Sequence, residues 1–203
     1  MPRAVSPRPL HVRLVTSPQP ASASGAAPAT PPASELQPGS PGELDALYRA
    51  YASYVAAIAV RILGRDHELD DLVQDTFVNA LRGLRGLREP LAVKGWLAKI
   101  TVRLATRRLR ARRVRRALHL ERDVLDYEVI CAPSASDEQR ALVAKVYRVL
   151  DQMPADDRVA WVLRNVQGEP LHRIPELCAC SLSTAQRRLW RAQAVLEKEL
   201  IDG

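Results

Sequence analysis

Apolar residues recur at steps of three and four along the chain from Glu43 onward, the period that gathers them on one face of an α-helix. Leu44, Leu47, Tyr48, Tyr51, Val55, Ile58 and Ile62 predict a first helix, with Gly64 as its stop. Leu69, Leu72, Val73, Thr76, Phe77, Ala80, Leu81 and Leu84 share one face of a second. Asp66 stands where its N-cap is expected, and acidic residues crowd its first turns, where the helix dipole favours them. This helix is expected to fray at Gly83 and Gly86. After Pro90 a third helix sets Trp96, Leu97, Ile100 and Leu104 on one side, then runs into Arg107, Arg108, Arg110, Arg112, Arg113, Arg115 and Arg116. With Arg103, that makes eight Arg in fourteen residues and no acid.

Periodicity lapses over residues 117–135, where the charges turn acidic at Glu121, Asp123, Asp126 and Glu128. A structureless stretch of this length is unusual inside one domain, so it predicts a flexible linker between two, with ends roughly 25 Å apart. Beyond it, Leu142, Val143, Val146, Tyr147 and Leu150 predict a helix ending before Pro154. Val159, Val162, Leu163 and Val166 predict another ending near Gly168. Two more helices follow, from about Pro170 to Ala179 and from about Ser183 to Leu200, separated by Cys180, Ser181 and Leu182. Residues 1–42 are different in kind: they hold 10 of the 15 prolines and a single acid, Glu35. Such a Pro, Ala and Ser tract cannot bury enough apolar surface to offset chain entropy and is expected to be a disordered tail. The predicted fold class is all-α: tail 1–42, a helical domain 43–116, the linker 117–135 and a second helical domain 136–203.

Composition sharpens this in three respects. Hydrophobic residues make up 47% of the 203 but aromatics only 4%, so the core is built from Leu, Val, Ile and Ala, which suits helical bundles and disfavours sheets. The formal charge is +7, and 26 of the 30 basic residues are Arg, whose rigid donor fork suits phosphates and base edges. Three Cys give no disulfide framework, and no run approaches the roughly 18 apolar residues of a membrane span. A reducing, cytoplasmic setting without membrane insertion is the expectation.

The last two helices have the form of a helix-turn-helix, a short helix and a tight turn leading into a longer helix. Ala185, Leu189, Ala192 and Leu196 supply the buried face of the longer one. Opposite stand Ser183, Thr184, Gln186, Arg187, Arg188 and Arg191, side chains able to bond base edges or phosphates in a major groove. A surface hairpin with solvated charges explains such a pair about as well when it stands alone. The Arg run on the third helix tips the balance toward a protein that touches DNA at two places.

Catalytic and metal chemistry find little support. Asp71 and Asp75 lie four apart on one helix face, but no His or further carboxylate is positioned to complete a divalent-metal site. Cys178 and Cys180 point about 200° apart on a helix and do not easily share a metal, so Cys178 reads as a small core residue. His67, His119 and His172 have no nucleophile partner at readable spacing, and His11 falls in the tail. No catalytic residue, cofactor or metal is expected.

Taken in order, these parts resemble the extracytoplasmic-function group of bacterial RNA polymerase sigma factors, over roughly residues 43 to 200. The segment Asp70, Asp71, Leu72, Val73, Gln74, Asp75, Thr76, Phe77 is similar to the family's helix that binds core polymerase. Trp96, Leu97 and Ile100 with the following Arg run resemble the helix that opens and reads the minus-ten promoter element. The chain from Leu150 through Met153, Pro154, Arg158, Gly168, Ile174, Glu176, Leu177, Ser181, Thr184, Arg188, Leu189, Arg191 and Ala192 to Leu196 resembles the domain that reads the minus-thirty-five element. The resemblance implies core RNA polymerase, promoter DNA and an anti-sigma protein as partners, the last able to hold the chain at the membrane.

On that reading Asp70, Asp71, Leu72, Val73, Gln74 and Asp75 would meet the polymerase. Trp96, Lys99, Arg103, Arg107, Arg108 and Arg110 would meet minus-ten DNA, and the helix-turn-helix set the minus-thirty-five element. Trp96 serves either as a stacking platform for an unstacked base or, with more weight, as a core residue. The pattern departs from the family at Arg103 and Arg107, where Asn and Asp are usual, and at Arg173, Pro175, Ala179 and Gln186, which implies a different promoter preference. Pro175 bends its short helix unless it lies in the first turn. The nearest rival reading is a conventional helix-turn-helix regulator that binds duplex DNA by itself; an enzyme acting through the carboxylates of Asp66 to Asp75 is a third and weaker one.

Overall fold

The computed structural model describes residues 43–64, 68–84, 93–120, 130–131 and 134–201. The expected tail, the Asp66 cap, His67, Gly86 and most of the expected linker lie outside them. The described chain is helical: α1 (Glu43–Leu63), α2 (Leu69–Leu84), α3 (Val93–Ala117), α4 (Asp137–Gln152), α5 (Ala155–Asn165), a 3-10 turn (Leu171–Arg173), α6 (Ile174–Cys178) and α7 (Leu182–Ile201).

Local signals account for the ends. Gly64, at φ 77, stops α1 where a residue with a Cβ would be strained. A capping box opens α4: Ser136 Oγ accepts from the Gln139 amide at 3.3 Å, and Gln139 Oε1 accepts from the Ser136 amide at 2.9 Å. Pro175 lies in the first turn of α6, where its missing N–H costs nothing, so the bend it threatened does not arise. The stretch before α6 tightens instead into the 3-10 turn.

Helices α1, α2 and α3 pack around Leu47, Tyr51, Val55, Val73, Phe77, Ala80, Val93 and Leu97. A second, larger core begins at Ile58, Ile62 and Leu63 of α1 and continues through Ala98, Val102, Ala105 and Leu109 of α3. From there it runs into α4, α5, α6 and α7 by way of Val146, Leu150, Val159, Leu163, Ile174, Ala185 and Leu196. The two expected domains therefore share one core. Ile130 and Cys131, from within the expected linker, are 3% and 7% exposed and belong to it. The cause is a second apolar stripe on α3, at spacings of four, three and four, distinct from the Trp96, Leu97 and Ile100 side. Each fully buried Val, Leu or Ile adds about 1.5–3 kcal/mol, so the stripe is a strong reason for the halves to pack.

Polar groups reinforce the join at the end of α1. Its last carbonyls lack intrahelical donors. The Tyr147 hydroxyl donates to Arg61 O at 2.8 Å, Arg158 Nε to Ile62 O at 3.0 Å and Arg112 to Leu63 O at 3.3 Å. Both guanidiniums are buried, at 3% and 2% exposure, and their charge complements the negative end of the helix dipole. Asp151 balances Arg158, and Glu68 balances Arg112 at 3.5 Å.

Some periodic positions fall outside the core. Leu81 and Leu142 are each 41% exposed; Tyr48 is half exposed, yet its ring meets Phe77 at a centroid distance of 4.9 Å. The expectation that no segment approaches a membrane span is corrected: Asp45–Leu63 is long and apolar enough by length and composition. In the fold it is a core helix that lays Leu47, Tyr51, Val55, Ile58 and Ile62 against its neighbours.

Candidate nucleic-acid interface

The acidic face of α2 is presented as its sequence pattern demands. Asp70, Asp71, Gln74 and Asp75 are exposed, whereas Leu72 and Val73 turn inward into the two cores. Of the six residues expected to meet polymerase, these two are the buried ones. Asp70, Val73 and Gln74 line an open groove of about 490 Å³ together with Tyr48, Ala52, Ser53 and Ala56 of α1. Asp75 is engaged within the chain, taking a hydrogen bond from Arg108 at 2.6 Å.

The basic residues of α3 divide by face. Lys99, Arg103, Arg107 and Arg110 form one stripe along a cleft. Arg108 turns the other way, donating to Glu68 O as well as to Asp75, and its side chain is only 18% exposed. It ties α3 to α2 through these contacts. Arg112 is buried under the end of α1 and Arg115 pairs with Glu68 at 2.9 Å, so part of the Arg run holds the fold. Trp96 is half-buried against the first core, and a Cβ on Gly83 of α2 would come within 2.7 Å of its ring. The core reading of Trp96 is the one its contacts support.

The helix-turn-helix is assembled as expected. Ser181 caps α7, its Oγ accepting from the Thr184 amide at 3.2 Å and donating to Thr184 Oγ1 at 2.9 Å. Ser183, Gln186 and Arg187 are exposed and Thr184 is half-buried. Arg191 donates to Asp157 at 2.6 Å, which raises the guanidinium pKa further. Arg188 lies 3.3 Å from Asp156 with a side chain only 17% exposed. Trp190, 61% exposed, lies beside Arg187 on α7 and escaped the sequence reading; its spacing of three from Arg187 was the available signal.

Two acids, Asp156 and Asp157, also escaped that reading, and Glu176 entered it only among the residues of the resemblance. Asp156 takes two hydrogen bonds from Arg110, each at 2.8 Å, and Glu176 pairs with Lys99 at 2.7 Å and with Arg173 at 2.7 Å. The hydrogen bond from Lys99, with the nearby Arg173, Lys99 and His172 charges, holds the Glu176 carboxyl below the usual carboxylate range against the opposing effect of burial. Asp157 is almost fully buried beneath Arg191. Burial pushes the Cys178 thiol up to about 12, which fits the core role expected for it. No cluster of three or more His, Cys, Asp or Glu suited to a metal occurs among the described residues.

Residues 47–115 match the family described as Sigma-70 region 2, the span of α1 to α3. The chain is 30% identical over 161 residues to the ECF RNA polymerase sigma factor SigE of Mycolicibacterium smegmatis, covering 77% of this chain and 61% of that protein. It is 27% identical over 173 residues to the ECF RNA polymerase sigma-E factor of Haemophilus influenzae, covering 81% of this chain and 91% of that one. In fold it is similar to the sigma factor RpoE of Bartonella quintana, solved in complex with the anti-sigma factor NepR. There the TM-score is 0.56 at 22% identity, over 78% of this chain and 97% of that one. Over the span of α1 to α3 by its family match, and over most of its length by its relatives, the chain is similar to the extracytoplasmic-function RNA polymerase sigma factors of the sigma-70 family.

Proposed function

We propose that this chain is a promoter-specificity subunit that binds core RNA polymerase in the cytoplasm and directs it to a particular set of promoters. The observation that carries the reading is the coexistence, on one small helical protein, of an exposed acidic helix face and two separate cationic helix faces. A regulator that only binds duplex DNA needs no acidic face. In this reading Asp70, Asp71 and Gln74 meet a basic surface of the polymerase, beside the open groove that α1 and α2 share. Lys99, Arg103, Arg107 and Arg110 meet the minus-ten region, largely through phosphate, which makes affinity fall steeply with salt. Ser183, Thr184, Gln186, Arg187, Arg188 and Arg191 meet the minus-thirty-five element, and Trp190 adds an apolar surface suited to thymine methyl groups. The protein contributes binding and strand separation, and the polymerase contributes the chemistry.

An anti-sigma protein is the further partner in this reading, supported by the fold shared with a sigma factor that is bound to one. Run-off transcription from genomic fragments, with the protein added to core polymerase, tests the whole proposal: new promoter-directed transcripts are expected. Asp71→Ala is expected to weaken co-purification with core polymerase while leaving the helical content intact, because Asp71 is exposed and outside both cores. Undiminished association would remove the acidic face from the interface. Tight duplex binding as a symmetric dimer, with no polymerase association, would favour the regulator reading instead.

A further inference from the structure

We infer that α3 and α5 build a small anion site that takes a terminal phosphate group, as inorganic phosphate or as the dianion of a phosphate monoester. The site uses none of the cations assigned above to promoter DNA and stands whether or not that assignment holds. Arg112 and Arg113 lie four and three residues before Arg116, so the three are neighbours on α3. They are the part of the Arg run left outside the DNA stripe. With Arg158 of α5 they line a recess of about 40 Å³, and Asp151 is the only carboxylate among the described residues that line it. The rest of its wall is apolar, which leaves the charges poorly screened.

Two observations direct this recess to an anion. Arg158 is 2% exposed; its Nε donates to Ile62 O at 3.0 Å and its Nη1 to Asp151, yet its Nη2 is buried without a hydrogen-bond partner. A buried donor of a charged group is costly to leave unpaired, and an anion oxygen in the recess pairs it. The second observation is the start of α5. Its first residue, Ala155, lines the recess, and its N-cap, Pro154, offers no side chain to the first amides. The carboxylates of that first turn are engaged elsewhere, Asp156 with Arg110 and Asp157 with Arg191. The positive end of an 11-residue helix thus adds to the guanidiniums.

Size and charge choose the ligand. The recess has room for roughly three waters, which suits one tetrahedral group. Its rim carries Arg113, which is exposed and makes no hydrogen bond or ion pair among the described residues. Asp151, paired with Arg158, also lies 3.9 Å from Arg116, so one carboxylate serves two guanidiniums. A dianion complements such a set better than the single charge of a phosphodiester, and a terminal phosphate leaves the remainder of its molecule outside. Arg forks suit phosphate geometry. Held between Arg113 and Arg158, the group joins α3 to α5 and stabilises the folded chain.

Calorimetric titration of the full chain with inorganic phosphate and, separately, with glycerol phosphate, in chloride at constant ionic strength, tests the site. One saturable anion per chain is expected, with the unfolding temperature rising as the site fills. The tighter of the two ligands identifies the source of the phosphate. Arg113→Ala removes an exposed side chain and keeps the fold; it is expected to weaken binding about tenfold. Arg103→Ala removes the same charge from the DNA stripe and is expected to leave phosphate affinity within about twofold. Absence of saturable binding in the wild type would overturn the site and leave Arg158 Nη2 to water. Equal losses in the two variants would also overturn it, since only general attraction of anions to a basic protein would remain.

Discussion

Ala179 ends α6 in the left-handed region, at φ 48 and ψ 52, a position that glycine occupies without strain. Exchanging it therefore tests how far the turn departs from its most comfortable residue. Ala179→Gly is expected to stabilise the protein by about 0.5–1 kcal/mol, because relief of the Cβ clash exceeds the extra freedom of glycine in the unfolded chain. A higher denaturant midpoint at unchanged slope would show it. At this scale the sequence is legible for apolar residues and poorly legible for charged ones. Leu72 and Val73 obey the helical period and are buried, although a motif-level reading groups them with exposed neighbours. Arg108 and Arg112 look like their neighbours in the run, yet one finds Asp75 of α2 and the carbonyl of Glu68 just before it, and the other caps α1. Which guanidinium meets a carboxylate or carbonyl far along the chain depends on how the helices pack.

Helices are the scale at which the period of three and four is most informative. The stops at Gly64 and before Pro154, and the tight turn into α7, follow from local chemistry of Gly, Pro and Ser. Each helix, however, has more than one face, and the period alone does not rank them. On α3 the stripe of Ala98, Val102, Ala105 and Leu109 proved to be the deeper one, since small residues allow close approach of α5 and α6. On α7 the faces separate cleanly: Arg187, Trp190 and Arg191 are exposed opposite Ala185, Ala192 and Leu196. Arg187→Ala is expected to weaken binding to a minus-thirty-five duplex and, if Arg187 meets phosphate, to reduce the slope of log affinity against log salt by about one. A titration by fluorescence anisotropy at several salt concentrations reads both quantities.

The whole molecule is held at the end of α1, where side chains from the two halves converge on three successive carbonyls. Burial raises the pKa of the Tyr147 hydroxyl well above the ordinary range, so it remains a neutral donor at any physiological pH. Tyr147→Phe keeps the ring and removes the donor to Arg61 O; it is expected to cost about 1–3 kcal/mol, measured by denaturant unfolding, because a part-buried carbonyl loses its partner. By itself the sequence determined the helical class, the order of the helices, the helix-turn-helix and the acidic and basic faces, since period, caps and composition are local quantities. Tertiary structure alone decided that the halves share a core, that Asp156 and Glu176 face the α3 cations, and which arginines hold the fold. Those outcomes depend on contacts between residues tens of positions apart, where burial and geometry, not local pattern, choose the partner.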